Sequence, residues 1–395
     1  MGALTKDEFH LSGPLMSEDT KATLDAVRQL GAEVRISGTD MTIHCEGLRP
    51  ASQVIDAKNS GTTIRLITGI AALLPSATTL TGDSSLVKRP MGPLMEALGL
   101  LGVRYEFLDR PGRAPLRVTG PMSGSATTIK GSVSSQFVSS LLIACTQKVD
   151  DTEVAVEGTL ASRPYVDITL DMLSRFGAEV RETASGFAVP GGQKLRLRSY
   201  SVPGDFSSAA FPLVAGAMTG GDVTVKNLDA GSPQGDRAVL DVLQRFGAEV
   251  ETGKDAVRVR GTDLRGTAVD VRDTPDLFPI LAVLGAVAEG RTVITGGRNL
   301  REKESDRIAT TTAFLRDMGA RITPTDDGCV VDGGAKLHGA SVQTHGDHRI
   351  LMAAAIAGLV STSEVRIQDD SSYAVSYPGF LDDMQRLGCR MEVRS

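Results

Sequence analysis

The 395-residue chain is long enough for two sizeable hydrophobic cores, and 41% apolar with 23% charged residues describes an ordinary globular protein. Its net charge of −6 gives no bulk attraction to nucleic acid or an anionic membrane, so any bound anion needs a local cationic cluster. Cys45, Cys145, Cys329 and Cys389 are scattered without a CxxC pair, which argues against a zinc site or a disulfide framework and reads as inert thiols of a reducing cytoplasm. No apolar run approaches a membrane span, and no basic-apolar targeting segment opens the chain.

The first helix, Asp19 to Leu30, ends in a phrase that then recurs down the chain. It reads Leu30-Gly31-Ala32-Glu33-Val34, Leu101-Gly102-Val103-Arg104, Phe176-Gly177-Ala178-Glu179-Val180, Phe246-Gly247-Ala248-Glu249-Val250, Met318-Gly319-Ala320-Arg321-Ile322 and Leu387-Gly388-Cys389-Arg390-Met391. Its glycines lie 71, 75, 70, 72 and 69 residues apart, so one supersecondary unit is used six times, naturally as two domains of three. We set those domains at 1–202 and 203–395. From the second unit on, the order is strand, polar turn, helix, strand, polar turn, second helix, Gly phrase and two closing strands. Unit five shows it best: strand Ala268–Val271, turn Asp273–Asp276, an all-round apolar helix from Leu277 to Gly285, strand Arg291–Ile294, and an amphipathic outer helix from Ser305 to Met318. The Gly suits the left-handed residue at a helix C-terminus.

Each inner helix opens on small polar or acidic residues: Asn59-Ser60-Gly61-Thr62, Ser134-Ser135-Gln136, Asp205-Phe206-Ser207-Ser208, Thr274-Pro275-Asp276 and Gly346-Asp347-His348. Helix capping alone accounts for any one copy, Asp276 included. If the units pack round a common axis, however, several helix N-termini converge and form an anion site. The distance from this polar position to the Gly phrase is 43 residues in units two, three and five and 41 in unit six, so counting back from Gly31 falls upstream of Met1. The first unit is therefore read as lacking its first strand and inner helix.

The densest polar cluster is Arg298-Asn299-Leu300-Arg301-Glu302-Lys303-Glu304-Ser305-Asp306-Arg307. Lys303 and Arg307 are four apart, as if on one helical face, with Glu304 adjacent. A solvated helix start would look the same, but a basic pair beside a carboxylate is what proton transfer on an anionic substrate requires. Lys88-Arg89-Pro90 and Asp347-His348-Arg349 sit at comparable turns.

Together these segments, with Arg65, Ser134-Ser135-Gln136-Phe137 and Ser162-Arg163-Pro164-Tyr165-Val166-Asp167-Ile168-Thr169, resemble the 5-enolpyruvylshikimate-3-phosphate synthases, from about Asp19 to the C-terminus. The resemblance implies an α/β, two-domain enolpyruvyl transferase fold of six βαβαββ units, three per domain as an inside-out α/β barrel, with the first unit truncated. It implies transfer of the enolpyruvyl group of phosphoenolpyruvate to the 5-hydroxyl of shikimate 3-phosphate with release of phosphate, by a monomer closing on its substrates. Neither cofactor nor metal is implied. On this basis 1–202 is the shikimate 3-phosphate side and 203–395 the acid/base and phosphoenolpyruvate side.

Position by position, Ser134, Ser135, Gln136, Ser162, Tyr165, Asn299 and Lys303 resemble the family's shikimate 3-phosphate contacts, joined by Asp276. Gly61, Arg89, Gln136, Arg307 and Arg349 match the phosphoenolpyruvate side. Asp276 is similar to the acceptor of the hydroxyl proton and Glu304 to its partner at the methylene carbon, with Lys303 beside them. Asn59, Thr62, Arg65 and His348 match positions lining the cleft. The family's opening Pro-Gly-Ser-Lys-Ser-like turn is absent, and from this we expect a chain that is inactive or severely impaired. Leu66 replaces a common Pro, and Ala374-Val375-Ser376-Tyr377-Pro378 offers no Lys where some members have one. Three rivals stay open: a UDP-N-acetylglucosamine enolpyruvyl transferase, whose loop cysteine has no counterpart here, a ligand-binding relic, and a 3′-phosphate RNA cyclase.

Overall fold

The computed structural model describes residues 1–394 and divides into two compact units, Met1–Val202 and Pro203–Ser395. Each unit has its own apolar core. None of the helices among the described residues is long and apolar enough to cross a membrane.

In the first unit one strand pattern is repeated three times. Two parallel strands are followed by an antiparallel hairpin, giving the spatial orders 55–56, 77–81, 116–119, 104–107 and 126–130, 152–157, 186–189, 181–183. The third copy is assembled from distant segments. Phe9–Ser12 pairs in parallel with Ser199–Ser201, which precedes the first helix of the second unit, and antiparallel with Asp40–His44. Ser199–Ser201 thus takes the place of a first strand beside the opening strand of the chain.

The second unit departs from the expected order in two places. Ala268–Asp270, Arg291–Thr295, Cys329–Asp332 and Arg321–Pro324 form a complete copy, but Asp222–Lys226 has only the antiparallel hairpin 249–260 beside it. The strand expected there in sequence, Ser199–Ser201, is already committed to Phe9–Ser12. In the sixth repeat Ser341–Val342 pairs with Arg366–Ile367, and the expected closing strands after Gly388 do not form among the described residues.

The inner helices Gly61–Ala71, Ser135–Cys145, Phe206–Met218, Phe278–Val287 and His348–Gly358 are buried on almost every side, as their apolar sequences require. Those of the second unit pack on one another, with sheets outside them. Outer helices such as Glu18–Gln29 and Arg163–Arg175 bury only one stripe. All six phrase glycines have φ between +79° and +104°, where a Cβ would be strained. The residue after each glycine donates its N–H five residues back, as in Ala32 to Val27 (3.0 Å), Ala178 to Leu173 (2.8 Å) and Ala320 to Leu315 (2.9 Å), satisfying the helix-end carbonyls. The recurring phrase is therefore a helix stop. Burial pushes the Cys145 thiol up to about 11 and that of Cys329 up to about 12, so both are inert at neutral pH.

Candidate active site

Four of the five inner helices carry the side-chain cap their sequences suggested. Ser60 accepts from Thr63 N (3.2 Å), Ser134 from Gln136 N (3.3 Å), Asp205 from Ser207 N (3.1 Å) and Asp347 from Arg349 N (2.9 Å). The exception is Asp276. It lies in the 3-10 turn Pro275–Leu277, caps nothing, and spends its carboxylate on cations instead. The plain N-cap reading of Asp276 is thereby excluded.

In the first unit, seven of the sequence-selected residues form one connected set. Asn59 accepts from Arg89 Nη2 (3.0 Å) and donates to Asp83 (2.8 Å). Arg65 Nη1 donates to Gln136 Oε1 (2.6 Å) and reaches Ser134 Oγ (3.4 Å), while Gln136 Nε2 donates to Thr62 (2.7 Å). The amide of Gln136 is therefore gripped at both ends, and its orientation is fixed. Arg65 also lies over the Phe137 ring, 5.1 Å from the centroid. Gly61 makes this gathering possible, since a Cβ there would stand 2.7 Å from Arg89 Nη1 and 3.5 Å from Arg65 Nη1. Two guanidiniums thus crowd the N-terminus of helix Gly61–Ala71, where backbone N–H groups add their own positive potential. Arg89 is buried, whereas Lys88 turns to solvent and does not join. Ser135 is buried beside its cap residue. Ser162 and Tyr165 open helix Arg163–Arg175. Ser162 holds a left-handed backbone (φ 54°), and its loop is tied to the Ser134 loop by Ala161 N donating to Gly131 O (3.0 Å).

The second unit builds its set round one guanidinium. Arg307, 1% exposed, donates through Nη1 to Asp276 (2.7 Å), through Nη2 to Glu304 (2.8 Å) and Asp347 (3.3 Å), and through Nε to Asp347 (2.9 Å). A planar fork with fixed donors is suited to placing three carboxylates at once. Asp276 also has Arg349 at 3.5 Å and Lys303 at 3.7 Å. Burial would raise the Asp276 carboxyl, but Lys303, Arg349 and Arg307 outweigh it and hold the group well below the usual range. Arg349 donates to the Ser207 carbonyl (2.8 Å), and its buried Nε has no hydrogen-bond partner. All three nitrogens of Arg307 are engaged by carboxylates, whereas the Arg349 Nε–H is uncommitted. His348 is buried and its Nδ1 unpartnered; burial foremost pulls it down to about 4, leaving a neutral imidazole. Asn299, in the turn Arg298–Glu302, keeps a buried Oδ1 without a partner.

The helical face expected for Lys303 and Arg307 does not exist. The helix spans Arg307–Asp317 with Asp306 as its cap, and Lys303 is an extended residue before it. The sequence also passed over three members of this set. Ser305 donates to Asp347 (3.0 Å), Asp347 anchors Arg307 besides capping its helix, and Asp236 accepts from the Ser207 hydroxyl. Ser and Asp at helix starts look like caps, which hid Asp347. Asp236 stands three residues before the outer helix Val239–Arg245, as Arg89 does before Gly92–Leu100, and that shared place could have flagged it.

Residues 1–384 match the family described as EPSP synthase (3-phosphoshikimate 1-carboxyvinyltransferase). The chain is 45% identical to the 3-phosphoshikimate 1-carboxyvinyltransferase of Methanocorpusculum labreanum, over 99% of this chain and 93% of that one. It is 47% identical to that of Methanothrix thermoacetophila, over 96% and 90%. Among solved structures, EPSP synthase from Acinetobacter baumannii superimposes with a TM-score of 0.82 at 31% identity, covering 100% of this chain and 93% of that one. The chain is a member of the EPSP synthase family.

Proposed function

We propose that this chain transfers the enolpyruvyl group of phosphoenolpyruvate to the 5-hydroxyl of shikimate 3-phosphate, releasing phosphate, in aromatic amino-acid biosynthesis. Family membership supports the reaction class. The observation that carries the chemistry is a single buried guanidinium holding Asp276 on one nitrogen and Glu304 on another. Addition–elimination needs such a pair. As the substrate oxygen bonds to C2 of phosphoenolpyruvate, one group takes the hydroxyl proton and another gives a proton to C3. The tetrahedral adduct then loses phosphate and one C3 proton, and those duties reverse. Asp276 is assigned the hydroxyl proton and Glu304 the methylene carbon, with Lys303 beside Asp276. Held far below its usual range, Asp276 is a weak base at rest. Bound anions that draw charge from Lys303 and Arg349 would raise its basicity when it is needed.

Phosphoenolpyruvate is assigned to Gly61, Arg89, Gln136, Arg307 and Arg349. Of the two guanidiniums in the second unit, Arg349 has the free donor and takes the direct contact. Arg307 spends four of its five N–H donors on three carboxylates, so its first duty is placement. Shikimate 3-phosphate is assigned to Ser134, Ser135, Gln136, Ser162, Tyr165, Asn299 and Lys303, with Asn59, Thr62, Arg65 and His348 supporting the walls. The groups present supply anion binding and both proton transfers. Four free cysteines, two of them with strongly raised thiols, suit a reducing cytoplasm, where we place the protein as a monomer.

Calorimetry with each substrate alone and with both tests this reading: each should tighten the other, and phosphate should be released only when both are present. Binding without mutual tightening or turnover would leave a ligand-binding relic and overturn the proposal.

A further inference from the structure

Asp236 is a buried acid outside the roles assigned above, in the turn Gly235–Ala238. One carboxyl oxygen accepts the Ser207 hydroxyl, and the other, Oδ1, is buried with no hydrogen-bond partner. No cation lies within ion-pair distance of it among the described residues, unlike Asp276, Glu304 and Asp347. Ser207 is the hinge of the arrangement. Its side chain meets Asp236, its backbone N–H is capped by Asp205 (3.1 Å), and its carbonyl accepts the hydrogen bond that the Arg349 guanidinium donates through Nη1 (2.8 Å). An ionised carboxylate with an orphaned buried oxygen is costly, whereas a neutral acid in that place loses little. We infer that Asp236 is a positioning residue that sets the Arg349 guanidinium through Ser207, and that it does so as a neutral acid.

The inference rests on the reading of Arg349 as a phosphoenolpyruvate contact and deepens it. The charged groups facing Asp236 are Asp205 at the cap of helix Phe206–Met218, Asp276 in the turn Pro275–Leu277, and Arg349 on helix His348–Gly358. Arg237, next in the chain, turns its guanidinium away to the Ala230 carbonyl (2.8 Å). Burial foremost, then Asp276, raise the Asp236 carboxyl to about 7, with Ser207 and Arg349 pulling the other way. Losing that proton places a new negative charge beside the guanidinium that is to hold an anion. Binding of phosphoenolpyruvate should therefore weaken above neutrality, approaching about tenfold per pH unit if only the neutral form binds.

The test compares wild type with Asp236→Asn and Asp236→Ala between pH 6 and 9. Asn keeps an oxygen for Ser207 but cannot ionise. Two readouts are taken: the KM for phosphoenolpyruvate at saturating shikimate 3-phosphate, and carboxyl-carbon and arginine side-chain NMR of the ligand-free protein. The expected result is a wild-type KM that climbs above pH 7, an Asp236→Asn KM that stays low, and an Asp236→Ala KM raised severalfold throughout. The titration of the substrate phosphate is common to all three and cancels. By NMR the Asp236 carboxyl and the Arg349 Nε–H should move with one midpoint in wild type, and the Arg349 signal should stay still in Asp236→Asn. Superimposable KM profiles for wild type and Asn, or an Asp236 signal already ionised at pH 6, would overturn the inference. An absence of turnover in wild type would instead overturn the assigned reaction, and the ligand-free titration would still decide for or against Asp236.

Discussion

Replacing Arg307 with Met keeps the bulk of a fully buried side chain and removes the fork that three carboxylates share. The partners it leaves are unequal. Asp347 has 0% side-chain exposure, Glu304 14% and Asp276 21%. Asp276 retains Lys303 and Arg349 within 4 Å, and Glu304 can reach water. Among the described residues Asp347 keeps only the Ser305 hydroxyl and the Arg349 N–H, so most of the penalty falls there. Removing one partner of a buried ion pair costs about 3–5 kcal/mol. For a unit of this size that lowers the melting temperature by roughly 10 °C. Because the chain has no tryptophan, far-UV circular dichroism is the natural probe of unfolding. Arg307→Lys, which keeps the charge but not the fork, should fall between. The deficit of Arg307→Met should also shrink in mild acid, where the stranded carboxylates take up protons. A loss under about 1 kcal/mol, or one insensitive to pH, would refute the view that Arg307 is a structural keystone.

Gly61→Ala would drive a methyl group against Arg89 Nη1, 2.7 Å away, and the flexible guanidinium should yield. Steady-state kinetics should show KM for phosphoenolpyruvate raised about tenfold, equal to about 1.4 kcal/mol, with the melting temperature nearly unchanged. Glu304→Gln keeps an acceptor for Arg307 but cannot carry a proton, so kcat should fall roughly 10²–10⁴-fold with the fold intact. His348 sets an acid limit to stability. Its protonation is suppressed in the folded state, from 6.5 down to about 4, so the unfolded chain binds the extra proton as pH falls. Stability should be full above pH 6.5 and decline towards pH 4 by about 3 kcal/mol at most, and His348→Asn should remove that part of the slope in denaturant titrations.

The repeat was legible because its signals are local. A glycine that must adopt positive φ and an all-round apolar helix both announce themselves in a few residues, and both were found where Gly31 and Leu277 to Gly285 suggested. What escaped depends on partners distant in sequence. Nothing within Ser199–Ser201 says that it pairs with Phe9–Ser12, because the choice between two sheets is made by tertiary packing. The Lys303–Arg307 spacing of four suggested a helix face, yet Asp306 caps there and moves the helix start past Lys303. Asp276 and Asp347 have the same residue type in equivalent turns, and only the positions of Arg307 and Arg349 decide which is a cap and which is not. The residues assigned to the substrates came from motif resemblance. The structure adds which of them touch: Arg65 with Gln136, and Arg307 with Asp276, Glu304 and Asp347.

Isotope transfer bears most directly on the proposed addition–elimination. With the protein equimolar to both substrates in D2O, so that even a slow chain turns over, phosphate release and the vinyl protons of the product are followed together. Protonation of C3 makes a transient methyl group, and its collapse should leave deuterium in the product methylene, with Glu304→Gln slowing both signals. Phosphate release with no deuterium at that carbon, or no product from the two substrates together, would contradict the roles given to Asp276 and Glu304.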